Sequence, residues 1–237
     1  MIFGSAFILY AYVQSTREKN DPNRPPIVTK ISKKLKAQDQ HGQLFNMFHR
    51  LEGKVWFAVP VCVSQLEENK YALEMMQKLQ DQYADNEQIQ LVLVSIEGVD
   101  QGVGPEQMAE AAEKLGLTGP NTWWLTTGET KKQRGYIKDV LRLGIVGERE
   151  ADDPAGKWKF PSQIALIDKE MHLRQRYDFR EAYMAQEEAK LQVEKNPELK
   201  EEEHADFYLR AYQLLEEKLA ANTDYVLSEI KTGTKGE

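Results

Sequence analysis

The sequence holds one cysteine and four histidines, which leaves little material for a thiol or imidazole site. Its single cysteine, Cys62, excludes an intrachain disulfide, a Cys-x-x-Cys redox pair and any multi-cysteine metal site. Cys62 lies in an apolar run, and residues 55–69 contain no Lys or Arg, whereas a reactive thiol needs an electropositive setting that lowers its pKa. We interpret Cys62 as a buried small side chain, with a thiol-dependent redox role as an alternative.

The histidines and acidic loops give no further catalytic constellation. Glu97 and Asp100 follow a predicted strand but have no partner nucleophile or base close in sequence. The glycines of residues 98–104 lack the spacing of a phosphate-binding loop. The four histidines fit turn or solvated positions, at His41, His49, His172 and His204. We therefore predict no catalytic residue, no bound metal and no cofactor.

Length and charge limit the class of protein. The 237 residues suffice for one sizeable domain with extensions. A net charge of −7 argues against a nucleic-acid partner, which would favour a basic face. Between residues 181 and 218 there are 11 acidic and 5 basic side chains, so the acidic excess is concentrated near the C-terminus.

The chain begins with an apolar run that predicts a membrane anchor over residues 1–13. As a helix it would reach about 20 Å, which is short against about 30 Å of hydrocarbon. Packing of this run against a partner or against the rest of the fold is the alternative. Residues 14–27, rich in proline, asparagine and charge, predict an extended linker.

The body of the chain, residues 28–180, alternates strand and helix patterns. Continuous apolar runs at 55–63, 89–96 and 163–168 predict buried strands, although Pro60 interrupts the first. Helical spacing predicts helices between them and at about 131–143. This order implies a three-layer α/β domain.

The remaining residues, 181–237, predict a charged helical C-terminal extension interrupted at Asn196-Pro197. Residues 181–195 have little apolar striping, and we predict a projecting, partner-binding helix, with a helix packed on the domain as the alternative. Trp123 and Trp124 are a further candidate contact surface, with core packing as the alternative.

Several segments together resemble the SCO/SenC family, whose members are membrane-tethered thioredoxin-like proteins that help assemble the copper centres of cytochrome c oxidase. The resemblance spans about residues 30–180 and the last helix. It is carried by Asp39-Gln40-His41-Gly42, Leu51-Glu52-Gly53-Lys54-Val55, Leu91–Glu97, Gly104-Pro105-Glu106, Trp123–Gly128 and Leu166-Ile167-Asp168. The most distinctive part of the resemblance is the Leu-Thr-x-Gly segment that precedes a helix.

The resemblance implies a copper site built from two cysteines and a histidine, because soft sulfur ligands select Cu(I) and imidazole accepts Cu(II). The corresponding positions here are Gln65, Asn69 and Phe160. Just before the third predicted strand, a proline followed by a hydroxyl-bearing residue resembles a segment of thioredoxin-like folds in which the proline is cis. This resemblance assigns a structural role to Pro161.

Taken together, these features predict a membrane-tethered thioredoxin-like protein without copper ligands. It would be a non-enzymatic binding, scaffold or assembly module of a respiratory membrane complex such as cytochrome c oxidase, facing the periplasm or the mitochondrial intermembrane space. Copper delivery to cytochrome c oxidase is one alternative, and a redox role for Cys62 is the other.

Overall fold

The structure, a computed structural model, describes residues 23–201 and 204–229. The predicted anchor and residues 14–22 of the predicted linker lie outside this part. The strands are β1 (Thr29–Lys30), β2 (Lys36–Gln38), β3 (Leu44–Asn46), β4 (Val55–Val61), β5 (Ile89–Ser95), β6 (Thr122–Leu125), β7 (Gly147–Glu148), β8 (Trp158–Lys159), β9 (Gln163–Ile167) and β10 (His172–Asp178).

Seven α-helices are present in the described residues. They are α1 (Met47–Leu51), α2 (Lys70–Gln82), α3 (Pro105–Lys114), α4 (Thr130–Asp139), α5 (Phe179–Lys195), α6 (Ala205–Leu209) and α7 (Ala211–Ser228). A 3₁₀ segment over Val63–Asn69 joins β4 to α2. Pro105 is the first residue of α3. An N–H at this position has no hydrogen-bond partner within the helix, so a proline there costs no helical hydrogen bond.

Six strands form the central sheet in the order β1-β10-β9-β4-β5-β6. β4, β5 and β6 run parallel, whereas β9 and β10 pair antiparallel to their neighbours. The parallel strands therefore end at one edge of the sheet. Cys62, Glu97 and Thr126 follow β4, β5 and β6 closely, so this edge gathers the polar groups of the candidate site.

The sheet separates two apolar clusters, because alternate residues of a strand point to opposite faces. Trp56 and Ala58 pack with side chains from β2, β3, α1 and α4, which form the hairpin face. Val55 and Phe57 pack with side chains from α2, α3 and α7, which form the helical face. The predicted α/β fold with helices around a central sheet is confirmed.

The C-terminal helices pack onto the helical face, which corrects the prediction that residues 181–195 project. Leu219 and Val226 of α7 are buried in the cluster of that face. α5 lies against α2 and α7, where Tyr183 stacks on Tyr71 with ring centroids 4.4 Å apart. Aromatic residues near the start of α5 supply these packing contacts, which the many charged residues of the helix did not indicate.

Candidate functional site

Gln65, the first of the inferred ligand positions, joins the 3₁₀ segment to the β7–β8 hairpin. Its Oε1 accepts a hydrogen bond from the Trp158 backbone N–H at 2.7 Å. Its Nε2 donates to the carbonyl oxygens of Ala155 at 2.7 Å and Trp158 at 3.4 Å. Both ends of the amide are thus engaged with backbone groups, so this side chain acts as a cross-link between two loops.

Asn69, the second position, completes the hydrogen bonding of β4. The Val55 N–H donates to the Gln88 carbonyl, just before β5. Because backbone groups alternate between the two sides of a strand, those of Pro60 point toward β9. β9 pairs with β4 only as far as Ala58, and the Pro60 carbonyl instead accepts the Asn69 Nδ2 at 2.9 Å. The missing N–H of Pro60 therefore breaks no ladder hydrogen bond, which explains a proline in a central strand.

Phe160, the third position, belongs to the apolar cluster of the hairpin face together with Cys62 and Trp158. It is 9% exposed. A benzyl ring has no donor atom for a metal. The next residue, Pro161, is preceded by a trans bond, since the described residues contain no cis peptide. This departs from the cis proline of the folds that suggested its role, and trans is the lower-energy form of an X–Pro bond.

A charged cluster, unseen in the sequence, fixes the same hairpin. Arg149 Nη2 lies 2.7 Å from Glu68 Oε2, and Arg180 Nη1 lies 3.2 Å from the same oxygen. Arg149 Nη1 also donates to the carbonyls of Ala155 and Trp158. A guanidinium thus holds the loop that Gln65 contacts. Arg149 stands in a run of charged residues typical of a solvated loop, so its role could not be predicted from the local pattern.

Cys62 lies beside two oxygen-bearing side chains. Its Sγ is 3.4 Å from Ser64 Oγ and donates to Glu97 Oε2 at 3.5 Å. Burial raises the pKa of the thiol to about 12, and the negative charge of Glu97 adds to the rise while the hydrogen bond with Ser64 opposes it. At neutral pH the sulfur is a protonated donor, which disfavours nucleophilic and metal-binding chemistry.

Glu97 and Asp100 face different partners. Glu97 accepts hydrogen bonds from Ser64 Oγ at 2.6 Å and from the Ser64 N–H at 3.1 Å. Asp100 accepts from the N–H and hydroxyl of Thr130 at the start of α4, and the hydroxyl hydrogen bond lowers the pKa of Asp100. Each carboxylate stabilises a turn, so the two form no acid–base pair.

The two tryptophans divide between core and surface. Trp124 is fully buried and its Nε1 donates to the Leu117 carbonyl at 3.0 Å. Trp123 is half-buried, with its ring centroid 5.1 Å from that of Phe45 and the Arg50 guanidinium 5.6 Å above it. Only Trp123 is available to a partner.

The histidines lie apart from this region. His41, His49 and His204 are exposed, and the Nδ1 of His172 is 3.3 Å from Asp168 Oδ2. Within residues 23–201 and 204–229, no three His, Cys, Asp or Glu side chains are grouped so that they could hold a metal ion.

Comparison with solved structures identifies the architecture. An SCO1/SenC family lipoprotein from Bacillus anthracis str. Ames superposes with a TM-score of 0.54 at 18% identity, over 65% of this chain and 88% of that one. BsSco, a member of the Sco family of cytochrome c oxidase assembly proteins, gives 0.52 at 18% identity, over 64% and 85%. The chain has the SCO-type thioredoxin-like fold. No protein-family model and no curated protein matches the sequence.

The SCO-type fold bears out the resemblance on which the ligand positions rest. Gln65 lies in the 3₁₀ segment between β4 and α2, and Phe160 lies just before β9. Their assignment to the ligand positions stays a prediction. The loop ahead of Phe160 does approach Gln65, through Ala155 and Trp158. Asn69 turns away toward β4, so the three positions serve three different structural contacts.

Proposed function

We propose that this chain is a copper-free protein of the SCO family, acting as a non-enzymatic binding module in the assembly of a respiratory membrane complex such as cytochrome c oxidase. One observation supports this most directly. Both ends of the Gln65 amide and the Nδ2 of Asn69 are used in hydrogen bonds to the backbone, while the Asn69 Oδ1 is buried and Phe160 contributes only apolar surface. Neutral amides and a benzyl ring are poor ligands for copper.

The SCO-type fold supports the proposed family, and the role described for one relative supports the proposed kind of complex. BsSco is described as one of the cytochrome c oxidase assembly proteins. Fold alone does not transfer a function, and copper delivery requires ligands that the three positions lack. A module that has kept the fold and lost the ligands would act through its surfaces.

The α5 helix supplies a candidate surface for the partner. Met184 and Leu191 are 58% and 55% exposed. They are seven residues apart, which puts them on the same side of a helix. These two side chains would offer apolar contacts to a protein partner, and the acidic residues around them would exclude wrong partners.

We place the domain at a membrane, tethered by residues 1–13 and facing the periplasm or the intermembrane space. The support is the apolar start of the sequence and the resemblance to tethered proteins. In the part of the chain that the structure describes, no helix has the length and apolarity to cross a bilayer.

Copper reconstitution tests the central claim. The full chain is incubated with Cu(I) and with Cu(II) under reducing conditions, dialysed, and analysed for bound metal and for the alkylation rate of Cys62. We expect less than stoichiometric copper and slow alkylation. One tightly held copper per chain would overturn the proposal in favour of copper delivery, and rapid alkylation of the folded protein would favour the thiol-dependent role. A Cys62→Ala variant shows whether any copper bound depends on the thiol.

Docking is tested with the full chain as bait. Crosslinking in respiratory membranes of the source organism, followed by purification, is expected to enrich subunits of a terminal oxidase. Met184→Ser with Leu191→Ser should abolish that enrichment. Ile145→Ser is the matched control, because Ile145 is 69% exposed and lies far from α5 in sequence. Enrichment unchanged by the α5 variant would rule out this surface.

A further inference from the structure

The two faces of the central sheet carry opposite charge. Residues 23–54, which include β1, β2, β3 and α1, contain seven basic and two acidic side chains. The described residues of α5, α6 and the start of α7, 181–201 and 204–218, contain nine acidic and five basic side chains. The first region covers the hairpin face and the second belongs to the helical face. The sheet therefore separates a positive layer from a negative one.

The outer surface of the positive layer combines cations with apolar groups. We call it the basic patch, made of Lys33, Lys34, Lys36, Leu44, Phe48 and Arg50. Its four cationic residues are all exposed, and Leu44 is 67% exposed. The Lys34 ammonium lies 5.8 Å from the centroid of the Phe48 ring. Charge and apolar surface are thus side by side.

The positive charge of the basic patch is not neutralised internally. In the two described ranges, no carboxylate forms an ion pair with Lys33, Lys34, Lys36 or Arg50. Other basic residues of the protein do form ion pairs, as Arg174 does with Asp168 and Glu229. Unpaired cations beside an exposed leucine and a half-buried phenylalanine suit a binding surface that is itself anionic and has an apolar interior.

We propose that the basic patch binds the surface of a bilayer that contains anionic lipid. Lysine and arginine near such a surface are attracted by its negative potential, and neighbouring apolar side chains can enter the interface. The acidic helical face is repelled, so the same charges would orient the domain with α5 directed away from the lipid. That orientation leaves Met184 and Leu191 accessible to a protein partner.

The position of the patch in the chain agrees with this occupant. The patch begins ten residues after the first described residue, Asn23. Residues 14–22 can span at most about 30 Å when fully extended. A tether at residues 1–13 would therefore hold the domain within about its own diameter of the lipid. The inference uses the proposed tether for proximity, yet it does not depend on the absence of copper or on the identity of the protein partner.

Vesicle partitioning of the full chain tests the inference. The partition coefficient is measured on vesicles of phosphatidylcholine alone and of phosphatidylcholine with phosphatidylserine, at low and at physiological salt. The ratio of the two coefficients cancels the contribution of the apolar N-terminal run. For the wild-type chain we expect a ratio of about 100, falling as salt rises.

Charge reversal assigns the effect to the patch. The triple variant Lys33→Glu, Lys34→Glu, Lys36→Glu should bring the ratio to about one or below. The matched control is Lys190→Glu, Lys195→Glu, Lys200→Glu, which changes the total charge equally on exposed residues of the acidic segment and should keep most of the wild-type ratio. Circular dichroism checks folding, and the milder Lys→Gln triple should give an intermediate ratio.

Two results would overturn the inference. One is a wild-type ratio of partition coefficients near one, which would favour an acidic protein as the partner of the basic patch. The other is an equal loss in the patch variant and in the control, which would mean that only net charge matters. Leu44→Ser adds a separate readout, since it should weaken binding to anionic vesicles several-fold without changing charge.

Discussion

Gln65 shows how a side chain at an inferred ligand position can become a structural one. A thiolate has no N–H to donate and would leave Arg149 Nη1 as the remaining side-chain donor to the carbonyls of Ala155 and Trp158. The amide donates to both carbonyls and also accepts from the Trp158 N–H. Buried backbone groups cost free energy when they are left unpaired. Glutamine at this position therefore stabilises the loop arrangement directly.

Gln65→Ala is expected to lower the free energy of unfolding by about 1–3 kcal/mol, because it leaves the Trp158 N–H without its acceptor and removes one of two side-chain donors to the carbonyls of Ala155 and Trp158. Urea denaturation measures the change, and hydrogen exchange should show faster exchange of the Trp158 amide. Gln82→Ala, at an exposed position of α2, is the control and should change stability by less than about 0.5 kcal/mol. Equal effects of the two variants would contradict this role for Gln65.

From the raised pKa of the Cys62 thiol we predict a loss of stability in alkaline solution. Its pKa in the folded protein is raised from 9.0 to about 12 by burial. The stabilisation from the neutral thiol is therefore complete below pH 9 and is lost as the pH rises from about 9 toward 12. The loss should reach about 1 kcal/mol near pH 10.

The measurement is the free energy of unfolding between pH 8 and pH 10.5 for the wild type and for Cys62→Ala. The variant should show a smaller decrease with pH, even if the cavity makes it less stable throughout. Buried tyrosines such as Tyr136, whose pKa is also raised by burial, contribute equally to both proteins. Parallel curves would mean that the thiol is not held in its neutral form by the fold.

At the scale of elements, the β7–β8 hairpin is short and depends on side chains for its position. Its strands have two residues each. Gln65, Glu68 and Arg149 tie it to the 3₁₀ segment, and the Arg134 guanidinium lies 3.9 Å from the Trp158 ring centroid. Polar and cation–π contacts at this edge thus replace the extended pairing that a longer hairpin would provide.

Arg149→Met should loosen the hairpin and cost about 2–4 kcal/mol, since it leaves Glu68 and two carbonyls with fewer partners. Hydrogen exchange over residues 147–160, together with urea denaturation, measures the effect. Lys157→Met is a control within the same loop. Its ion pair with Glu148 is exposed and 3.8 Å long, and its loss should cost under 1 kcal/mol. Similar exchange in both variants would argue against a hairpin held by Arg149.

At the scale of the whole molecule, Arg174 joins the two ends of the described chain. It is 1% exposed and donates to the Pro25 carbonyl at 2.9 Å, to Asp168 at 2.7 Å and to Glu229 at 2.8 Å. Arg24 also pairs with Glu229, at 2.9 Å. The segment that leads in from the predicted linker and the end of α7 are therefore held together on β10.

Arg174→Met is expected to lower the free energy of unfolding by about 3–5 kcal/mol, because it leaves Asp168 buried without its charge partner. Thermal or urea unfolding measures the loss, and hydrogen exchange should localise it to residues 24–28 and the end of α7. Arg210→Met removes an exposed arginine with two ion pairs and should cost less than about 1 kcal/mol. A small effect of Arg174→Met would show that apolar packing alone holds the two ends.

The sequence alone predicted the long buried strands, the helices between them and the composition of the inferred ligand positions, but not β1, α1 or the β7–β8 hairpin. The strands at Val55–Val61 and Ile89–Ser95 were predictable because burial on both faces leaves a continuous apolar pattern in neighbouring residues. Gln65, Asn69 and Phe160 were identified from motif order, and their poor ligand chemistry follows from residue type. The boundaries of the anchor, linker, domain and extension stay predictions.

The tertiary structure decided what these residues do instead. Glu68 and Arg149 are 81 positions apart, and Arg174 and Glu229 are 55 apart, so no local pattern could pair them. The packing of α5 and the opposite charge of the two sheet faces likewise depend on which face each segment covers. Local patterns reflect contacts between near neighbours, whereas loop cross-links and surface charge depend on how the folded chain brings distant segments together.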